Sequence, residues 1–308
     1  MKTKLRINAS YIVDRTVANF FDIESIILSG FWRSGTTWLQ TALANAWDAK
    51  TIFEPLEPSS LMPLYLDRSN EFGAFIPLNT NDFSPSDWRF LDAAFKGISP
   101  RRSGFNYLCR DSVMDAVKPR VVIKFVRSQF LLAQLKIRYR PIATVHISRH
   151  PFAVLQSLKK TSWKWNFSEV RFRDFYSNAS DISEEMCWDL ERLISLDDAQ
   201  AELKAAAFWA ITEKHVRKVS DVNFLVYEEI IGDPEGTLRG LFQLCGLSQP
   251  SEVEFSKDSP VTEFDRIGST VNDRLYSWKR EMNKDERAVI SKTMREFWAC
   301  VDDYWELS

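Results

Sequence analysis

Residues 28–39 decide the fold of this chain; they read Leu-Ser-Gly-Phe-Trp-Arg-Ser-Gly-Thr-Thr-Trp-Leu. The stretch follows an apolar strand candidate at residues 25–28 and runs into a segment with helical periodicity, so it predicts a strand–loop–helix unit. Such a unit points backbone N–H groups and a helix N-terminus at an anion, which is how many proteins bind phosphate. The spacing from Gly30 to Gly35 is that of a Walker A loop, but Thr36 stands where that loop has its lysine. The nearest cation is Arg33, and a phosphate loop of this kind predicts a different transferred group.

A second element covers residues 145–157, Val-His-Ile-Ser-Arg-His-Pro-Phe-Ala-Val-Leu-Gln-Ser. Residues 143–148 form a short strand candidate, and Arg149 follows at its carboxyl end. Pro151 suits the first turn of a helix, where its missing N–H has no consequence. Arg149 and Ser157 would then flank one face of that helix, a cation and a hydroxyl suited to a phosphate dianion. The alternative is a solvated arginine and a helix-surface serine.

A third element begins at Tyr227, after a strand candidate at residues 222–227. Asp233 and Pro234 fit the N-cap and first turn of a helix that is predicted to end near Gly246. Most of these residues suit a structural role, and Tyr227 is the one that we single out as a site candidate.

The loop at residues 33–39 closely resembles the [KR]-S-G-T-T-x-L loop of sulfotransferases that use 3′-phosphoadenosine-5′-phosphosulfate (PAPS). In that family the loop holds the 5′-phosphosulfate. The resemblance therefore implies a donor-binding role for Arg33, Ser34, Gly35, Thr36 and Thr37. The family often stacks the next aromatic residue on the adenine, which makes Trp38 a further candidate.

The other two elements match the same family in the same order along the chain. Arg149, Pro151 and Ser157 match its R-x-P-x-x-x-x-x-S element, which binds the 3′-phosphate, and Tyr227 matches a tyrosine that contacts the adenine. A weaker match is Arg266-Ile267-Gly268, because the family has R-K-G in its C-terminal loop over the 3′-phosphate and isoleucine replaces the lysine here. The resemblance implies that Arg266 and Gly268 bind the donor, and it extends from residue 25 to about residue 280.

The catalytic base is harder to assign. Residues 119–127 line up, with one extra residue before the lysine, with the P-R-x-x-K-T-H-L strand of the cytosolic members. Lys124 matches a lysine that assists the transferring group, and Val126 stands in the place of the catalytic histidine. Many other sulfotransferases use a glutamate after the second strand. Glu54 is the first candidate here and Glu57 the second. The alternative for Glu54 is an exposed loop carboxylate, which is the common environment of glutamate.

Composition narrows the class of protein. The chain has 308 residues, 45% of them hydrophobic, and predicts a single domain over residues 1–308. A formal charge of −2 gives no general attraction to nucleic acid or to an anionic membrane, and no apolar run approaches the roughly 18 residues of a membrane span. The four cysteines lack any C-x-x-C spacing, which favours a reducing compartment, and we expect a cytoplasmic protein. The sequence gives no indication of oligomeric state.

Strand and helix patterns alternate along the chain. They predict an α/β fold of the P-loop nucleotide-binding type, with a central parallel sheet flanked by helices and the site at the carboxyl ends of the strands. Further predicted elements are a strand at residues 120–126 and helices at residues 205–219 and 283–304. Two aromatic-rich insertions, about residues 53–119 and 161–198, are expected to form a lid and acceptor walls. The alternative for most of their aromatic residues is packing against the core.

These expectations combine into a sulfotransferase that moves a sulfuryl group from PAPS to a hydroxyl or amine of a small-molecule acceptor, a metabolite or natural product. The product of the donor would be 3′-phosphoadenosine-5′-phosphate, and no metal is required because side chains can neutralise the leaving phosphate. Two alternatives remain open. One is a P-loop kinase, against which the missing lysine speaks, and the other is a catalytically silent PAPS-binding protein.

Overall fold

The computed structural model describes residues 12–56, 76–81, 83–98, 113–160, 167–176, 179, 181–248 and 271–307. The elements that form the layers around the site follow here in chain order, and the first helix is α1 at residues 12–20. The strands are β1 (Glu24–Gly30), β2 (Lys50–Phe53), β3 (Arg120–Phe125), β4 (Ala143–Ser148) and β5 (Asn223–Val226). The further helices are α2 (Thr36–Ala46), α3 (Pro85–Phe95), α4 (Leu132–Tyr139), α5 (Pro151–Lys159), α6 (Phe172–Tyr176), α7 (Glu184–Ile194), α8 (Ala201–Val216), α9 (Tyr227–Gly232), α10 (Pro234–Leu244), α11 (Val271–Glu281) and α12 (Lys284–Phe297). Short 3₁₀ turns lie at Val113–Val117 and Val301–Asp303.

The five strands form one sheet in the order β2-β3-β1-β4-β5, and every neighbouring pair is parallel. The middle strand, β1, pairs with β3 on one side and with β4 on the other. The strands β2 and β3 therefore lie on one side of β1, and the later strands β4 and β5 lie on the other side. The strand order reverses at β1, which leaves a crevice at its carboxyl end. Open α/β sheets bind their ligands at such a point, so the topology places the loop after β1 where a site is expected.

Both faces of the sheet are covered, which explains why the strands are apolar almost throughout. Alternate residues of β1 and β3 pack into two separate clusters: Ile27 and Ile123 lie in one, and Ile26 and Val122 lie in the other. The first cluster includes α8, whose Phe208 is fully buried. The second includes α2 and α10. The predicted parallel sheet flanked by helices is confirmed.

The element boundaries show where sequence patterns were accurate. The strand predicted at residues 143–148 is β4 without change, and the helix expected after Asp233 is α10 with Asp233 as its N-cap. The strand predicted at residues 222–227 was wrong at its end, because Tyr227 begins the short helix α9. The helix predicted at residues 283–304 is shorter: α12 starts at a capping box on Asn283 and ends at Phe297.

The described parts of the two insertions pack largely on the core. Phe95, Phe167 and Phe172 are buried, so for these three the alternative of core packing holds. Trp88 and Phe175 are half-buried and pack against the same cluster. The remaining parts of both insertions lie outside the described residues, and their role as lid or acceptor wall stays a prediction. In the described part of the chain no helix is both long and apolar enough to span a membrane.

Candidate active site

The loop between β1 and α2 has a backbone that few residue types tolerate. Arg33 and Gly35 have φ angles of 67° and 87°, in the left-handed region. A Cβ atom at Gly35 would lie 2.6 Å from Cδ2 of Tyr227, and one at Gly30 would lie 2.8 Å from the carbonyl oxygen of Ile147. The two glycines therefore allow close approaches that a side chain would prevent. This loop, residues 30–37, is called the donor loop below.

The start of α2 is suited to an anion. Its N-cap is Gly35, which has no side chain to satisfy the first N–H groups, and its first turn contains no acidic residue. These donors and the positive end of the helix dipole therefore favour a negatively charged ligand. The hydroxyl oxygen of Ser34 is buried and has no hydrogen-bond partner in the described part of the chain. The donor loop thus fits the phosphosulfate group that the sequence implies, with Ser34, Thr36 and Thr37 at hand as hydroxyl ligands.

The structure brings Arg33, Arg149, Ser157 and Tyr227 together. Nε of Arg33 donates to the hydroxyl of Ser157 at 2.9 Å, and Nη1 of Arg149 donates to the carbonyl of Arg33, also at 2.9 Å. The Arg149 guanidinium lies over the Tyr227 ring, 4.5 Å from its centroid. Four positions that the sequence selected separately therefore form one cationic group beside the donor loop, as a phosphate-binding assignment requires.

A second group, the Glu54 cluster, consists of Thr37, Glu54, Lys124 and Arg127. Nζ of Lys124 lies 2.8 Å from Oε1 of Glu54 and donates to the Thr37 hydroxyl at 2.9 Å. Nη1 of Arg127 donates to Oε2 of Glu54 at 3.0 Å. Lys124 also lies over the Phe53 ring. The donor loop is thereby connected through one lysine to a carboxylate between two cations.

Glu54 is buried, with 8% of its surface exposed, so the alternative of an exposed loop carboxylate was wrong. It follows the last residue of β2 and has a φ of 43°, a left-handed conformation that is rare for glutamate. Its backbone N–H donates to the carbonyl of Lys124, continuing the pairing of β2 with β3. Backbone strain of this kind is concentrated at functional sites, which makes the outlier an indication of function.

Arg127 is a site residue that the sequence analysis missed. It lies two residues beyond the end of β3 and is buried, with its guanidinium 5.2 Å from the centroid of the Trp32 ring. A signal was present in the sequence, because Arg127 is a cation directly after an apolar strand whose carboxyl end faces the loop. Val126, in the place of the family histidine, is buried.

Another buried carboxylate, Glu213 of α8, lies under β4. It accepts hydrogen bonds from the Ser148 hydroxyl at 2.6 Å and pairs with Nε2 of His146 at 3.0 Å. Burial opposes ionisation of this carboxyl group, but His146, Ser148 and Arg217 outweigh it and lower the pKa of Glu213. This Glu213 cluster was not predicted, and it fixes the end of β4 directly before Arg149.

His150 is the N-cap residue of α5 and packs against α11. Its ring stacks on Trp278 with the centroids 4.4 Å apart, and Nε2 pairs with the carbonyl of Glu306 at 3.1 Å. Burial lowers the pKa of His150 to about 4, so the ring is neutral at pH 7. Its backbone N–H donates to Glu228, whose pKa is raised by burial. Both groups have structural contacts that hold the start of α5 in place.

Three predicted site residues, Glu57, Arg266 and Gly268, lie outside the described residues, and their roles stay predictions. Trp38 is half-buried on α2 and packs against the second core cluster. Among the described residues there is no group of three or more His, Cys, Asp or Glu side chains that could hold a metal ion.

An α/β protein with a cationic loop of this kind belongs to the class that transfers or binds phosphate-like groups. The model of the Sulfotransferase family matches residues 25–251, which is most of the chain. The chain therefore belongs to the sulfotransferase family. No curated protein matches it at a significant level.

Several solved structures that this chain resembles are sulfotransferases. The sulfotransferase domain from the curacin biosynthetic pathway is 14% identical with a TM-score of 0.45, covering 94% of this chain and all of that one. The sulfotransferase domain of the Synechococcus PCC 7002 olefin synthase is 13% identical with a TM-score of 0.41, covering 90% and 94%. The mouse sulfotransferase SULT7A1, complexed with PAP, is 16% identical with a TM-score of 0.41, covering 94% and 92%. These likenesses are too distant to carry an argument about donor, acceptor or mechanism.

Proposed function

We propose that this protein transfers a sulfuryl group from PAPS to a hydroxyl or amine of a small-molecule acceptor and releases 3′-phosphoadenosine-5′-phosphate (PAP). The observation that carries the proposal is the continuous contact from Thr37 through Lys124 to Glu54. It joins an anion-binding loop to a buried carboxylate, which is what a transfer reaction with a proton-accepting base needs. Membership of the sulfotransferase family supports the choice of sulfuryl as the transferred group.

The residues divide into two donor-binding groups. The donor loop, with its N–H groups and the side chains of Arg33, Ser34, Thr36 and Thr37, would hold the 5′-phosphosulfate. Arg149 and Ser157 would hold the 3′-phosphate, while Tyr227 and Trp38 would contact the adenine. If Arg266 and Gly268 act as the resemblance implies, they complete the 3′-phosphate site.

In the transfer step a bond forms between the acceptor oxygen or nitrogen and sulfur, while the bond between sulfur and the leaving phosphate oxygen breaks. The acceptor loses a proton, and Glu54 would accept it, with Glu57 as the second candidate. Lys124 and Arg33 would stabilise the negative charge that develops on the leaving phosphate. Since these cations neutralise the leaving group, transfer should persist in the presence of EDTA.

The experiment separates donor binding from chemistry. Titration calorimetry with PAP should show binding by the wild type and by Glu54→Gln, and much weaker binding by Arg33→Ala. Labelled PAPS, screened against metabolite extracts, should yield a sulfated product with the wild type. With that acceptor, transfer by Glu54→Gln should fall about 10²- to 10⁴-fold, the usual contribution of a general base. Glu235→Gln, on the exposed face of α10, is the matched control.

Each alternative has its own outcome in this experiment. Undiminished transfer by Glu54→Gln would remove Glu54 as the base. Tight PAP binding without transfer to any acceptor would favour a silent PAPS-binding protein. Turnover of ATP with Mg²⁺ in place of PAPS would favour a kinase. Arg33→Ala with full PAPS-dependent transfer would contradict the assignment of the donor loop.

A further inference from the structure

We propose that Arg127 is a positioning residue whose guanidinium holds the Glu54 carboxylate in place while Lys124 acts on the donor. This inference deepens the proposed function and rests on it. The family motif does not point to Arg127, since the strand of the cytosolic members has a leucine at this position.

The geometry assigns different tasks to the two cations. Lys124 is shared: its Nζ contacts both Oε1 of Glu54 and the hydroxyl of Thr37 on the donor loop. Arg127 contacts Glu54 alone among side-chain acceptors in the described part of the chain, through Nη1 and Oε2 at 3.0 Å. If Lys124 moves toward a developing negative charge on the donor, Arg127 is the cation that stays with the carboxylate.

The position of Arg127 is itself fixed by the donor loop. Its guanidinium lies 5.2 Å from the centroid of the Trp32 ring, and this ring is buried against Phe208 with the centroids 6.1 Å apart. The next two residues are tied to the end of β1: Ser128 pairs with the Ser29 hydroxyl, and the Gln129 side chain donates to the carbonyl of Gly30. The turn after β3 is thus built onto the loop, and it carries Arg127 to Glu54.

Both side chains of the Arg127–Glu54 ion pair are buried. The side chains of Arg127 and Glu54 are 5% and 10% exposed, so water weakens their attraction far less than it would at the surface. Nε of Arg127 is buried without a partner in the described part of the chain, which leaves a donor for a bound water or a ligand. A charge-assisted hydrogen bond of this kind fixes the position and the orientation of the carboxylate.

The test compares Arg127→Met, which removes the charge, with Arg127→Lys, which keeps it. Arg138→Met is a closely matched control, because Arg138 also pairs with a carboxylate, Asp92, and lies over a tryptophan, Trp88, but on an exposed face. The first readout needs neither donor nor acceptor: ¹³C NMR at pH 7 of protein labelled at the glutamate carboxyl carbon reports the surroundings of the Glu54 carboxylate, whose resonance is assigned by its loss in Glu54→Gln. Thermal unfolding and PAP binding are measured for every variant.

In Arg127→Met we expect the Glu54 carboxyl resonance to shift or broaden because the carboxylate loses its guanidinium partner, with a smaller change in Arg127→Lys and none in Arg138→Met. With PAPS and the acceptor found above, kcat should fall about tenfold or more while PAP affinity stays unchanged, and Arg127→Lys should restore part of the rate. Arg127→Met combined with Glu54→Gln should be no slower than Glu54→Gln alone, because both changes remove one function.

An unchanged Glu54 resonance in Arg127→Met, or additive losses in the double variant, would overturn the proposal. So would a loss of PAP affinity in proportion to activity, since that outcome means a structural role. Failure of the proposed function is a separate result, because a wild type that binds no PAP shows it without any Arg127 variant.

Discussion

The Glu54 cluster and the Glu213 cluster each hold a buried carboxylate near the carboxyl ends of the sheet, and their surroundings differ. Glu54 lies between two cations and is linked through Lys124 to the donor loop. Glu213 lies in a regular helix and pairs with His146 and Ser148, with Arg217 at 3.9 Å. The side chain of Glu54 is 10% exposed and that of Glu213 is 1% exposed.

The difference teaches that burial and charge alone do not identify a reacting carboxylate. Glu213 has regular helical backbone and contacts β4 with a side chain that is 1% exposed. Glu54 has left-handed backbone, follows a strand end and contacts a loop that is suited to an anion. Its contacts, and not its burial, favour Glu54 as the base. Three changes test this distinction.

The largest effect is expected from Glu213→Ala. The change leaves the polar groups of His146 and Ser148 buried without their acceptor, so the free energy of unfolding should fall by about 3–5 kcal/mol. PAPS turnover per folded molecule should remain near that of the wild type. Urea unfolding measures the free energy of unfolding. Titration with PAP gives the concentration of binding-competent protein, by which the measured turnover is divided.

The control for this change is Glu235→Ala. Glu235 pairs with Arg239 on the exposed face of α10. Its removal should lower the free energy of unfolding by less than about 0.5 kcal/mol. A stable Glu213→Ala protein that binds PAP like the wild type but has lost activity would contradict the comparison, because Glu213 would then belong to the chemistry.

A smaller effect is expected from Gly35→Ala. This change tests whether donor binding depends on the left-handed backbone of Gly35 and its close approach to Tyr227. The new methyl group would lie 2.6 Å from the Tyr227 ring, at a φ of 87°, so the chain should lose about 1–3 kcal/mol of stability. PAP binding should weaken as well, because Tyr227 must move. Calorimetry with PAP and thermal unfolding measure the two effects.

Gly240→Ala is the matched control, since a Cβ at Gly240 in α10 meets no atom within 4 Å and alanine favours a helix by about 0.8–1 kcal/mol over glycine. Equal PAP affinity in Gly35→Ala and the wild type would show that the close approach of Tyr227 is not needed for donor binding.

How far the sequence predicts this site follows from which contacts are local. The donor loop could be predicted because Gly30, Arg33 and Gly35 lie within six positions, and the spacing of these residues determines the conformation of the loop. Arg149 and Tyr227 could be added because each follows a strand, and parallel strands end at one edge of a sheet. The sheet could be predicted because buried parallel strands are apolar throughout.

The Glu54–Arg127 contact could not be predicted in this way. It joins positions 73 residues apart and depends on the register of β2 on β3, in which Phe53 lies beside Lys124. No periodicity in either segment fixes that register. Glu213 was missed for a different reason: it lies among Lys214, His215 and Arg217, a charged run typical of a solvated helix face, and one position in that run faces the core.

The smallest effect is a pH dependence that distinguishes the two carboxylates. The pKa of Glu213 is lowered in the fold from an ordinary value of 4.5, because His146, Ser148 and Arg217 outweigh the effect of burial. A lowered pKa stabilises the fold above the ordinary value, and this contribution is lost as the pH falls below 4.5 through the folded pKa. The advantage of the wild type over Glu213→Gln in unfolding free energy should therefore shrink as the pH falls below 4.5. Urea unfolding at several pH values measures it, with Glu235→Gln as the control. An advantage that grew as the pH fell below 4.5 would mean that Glu213 holds a proton in the native protein, and the contrast with Glu54 as the proton-accepting carboxylate would be lost.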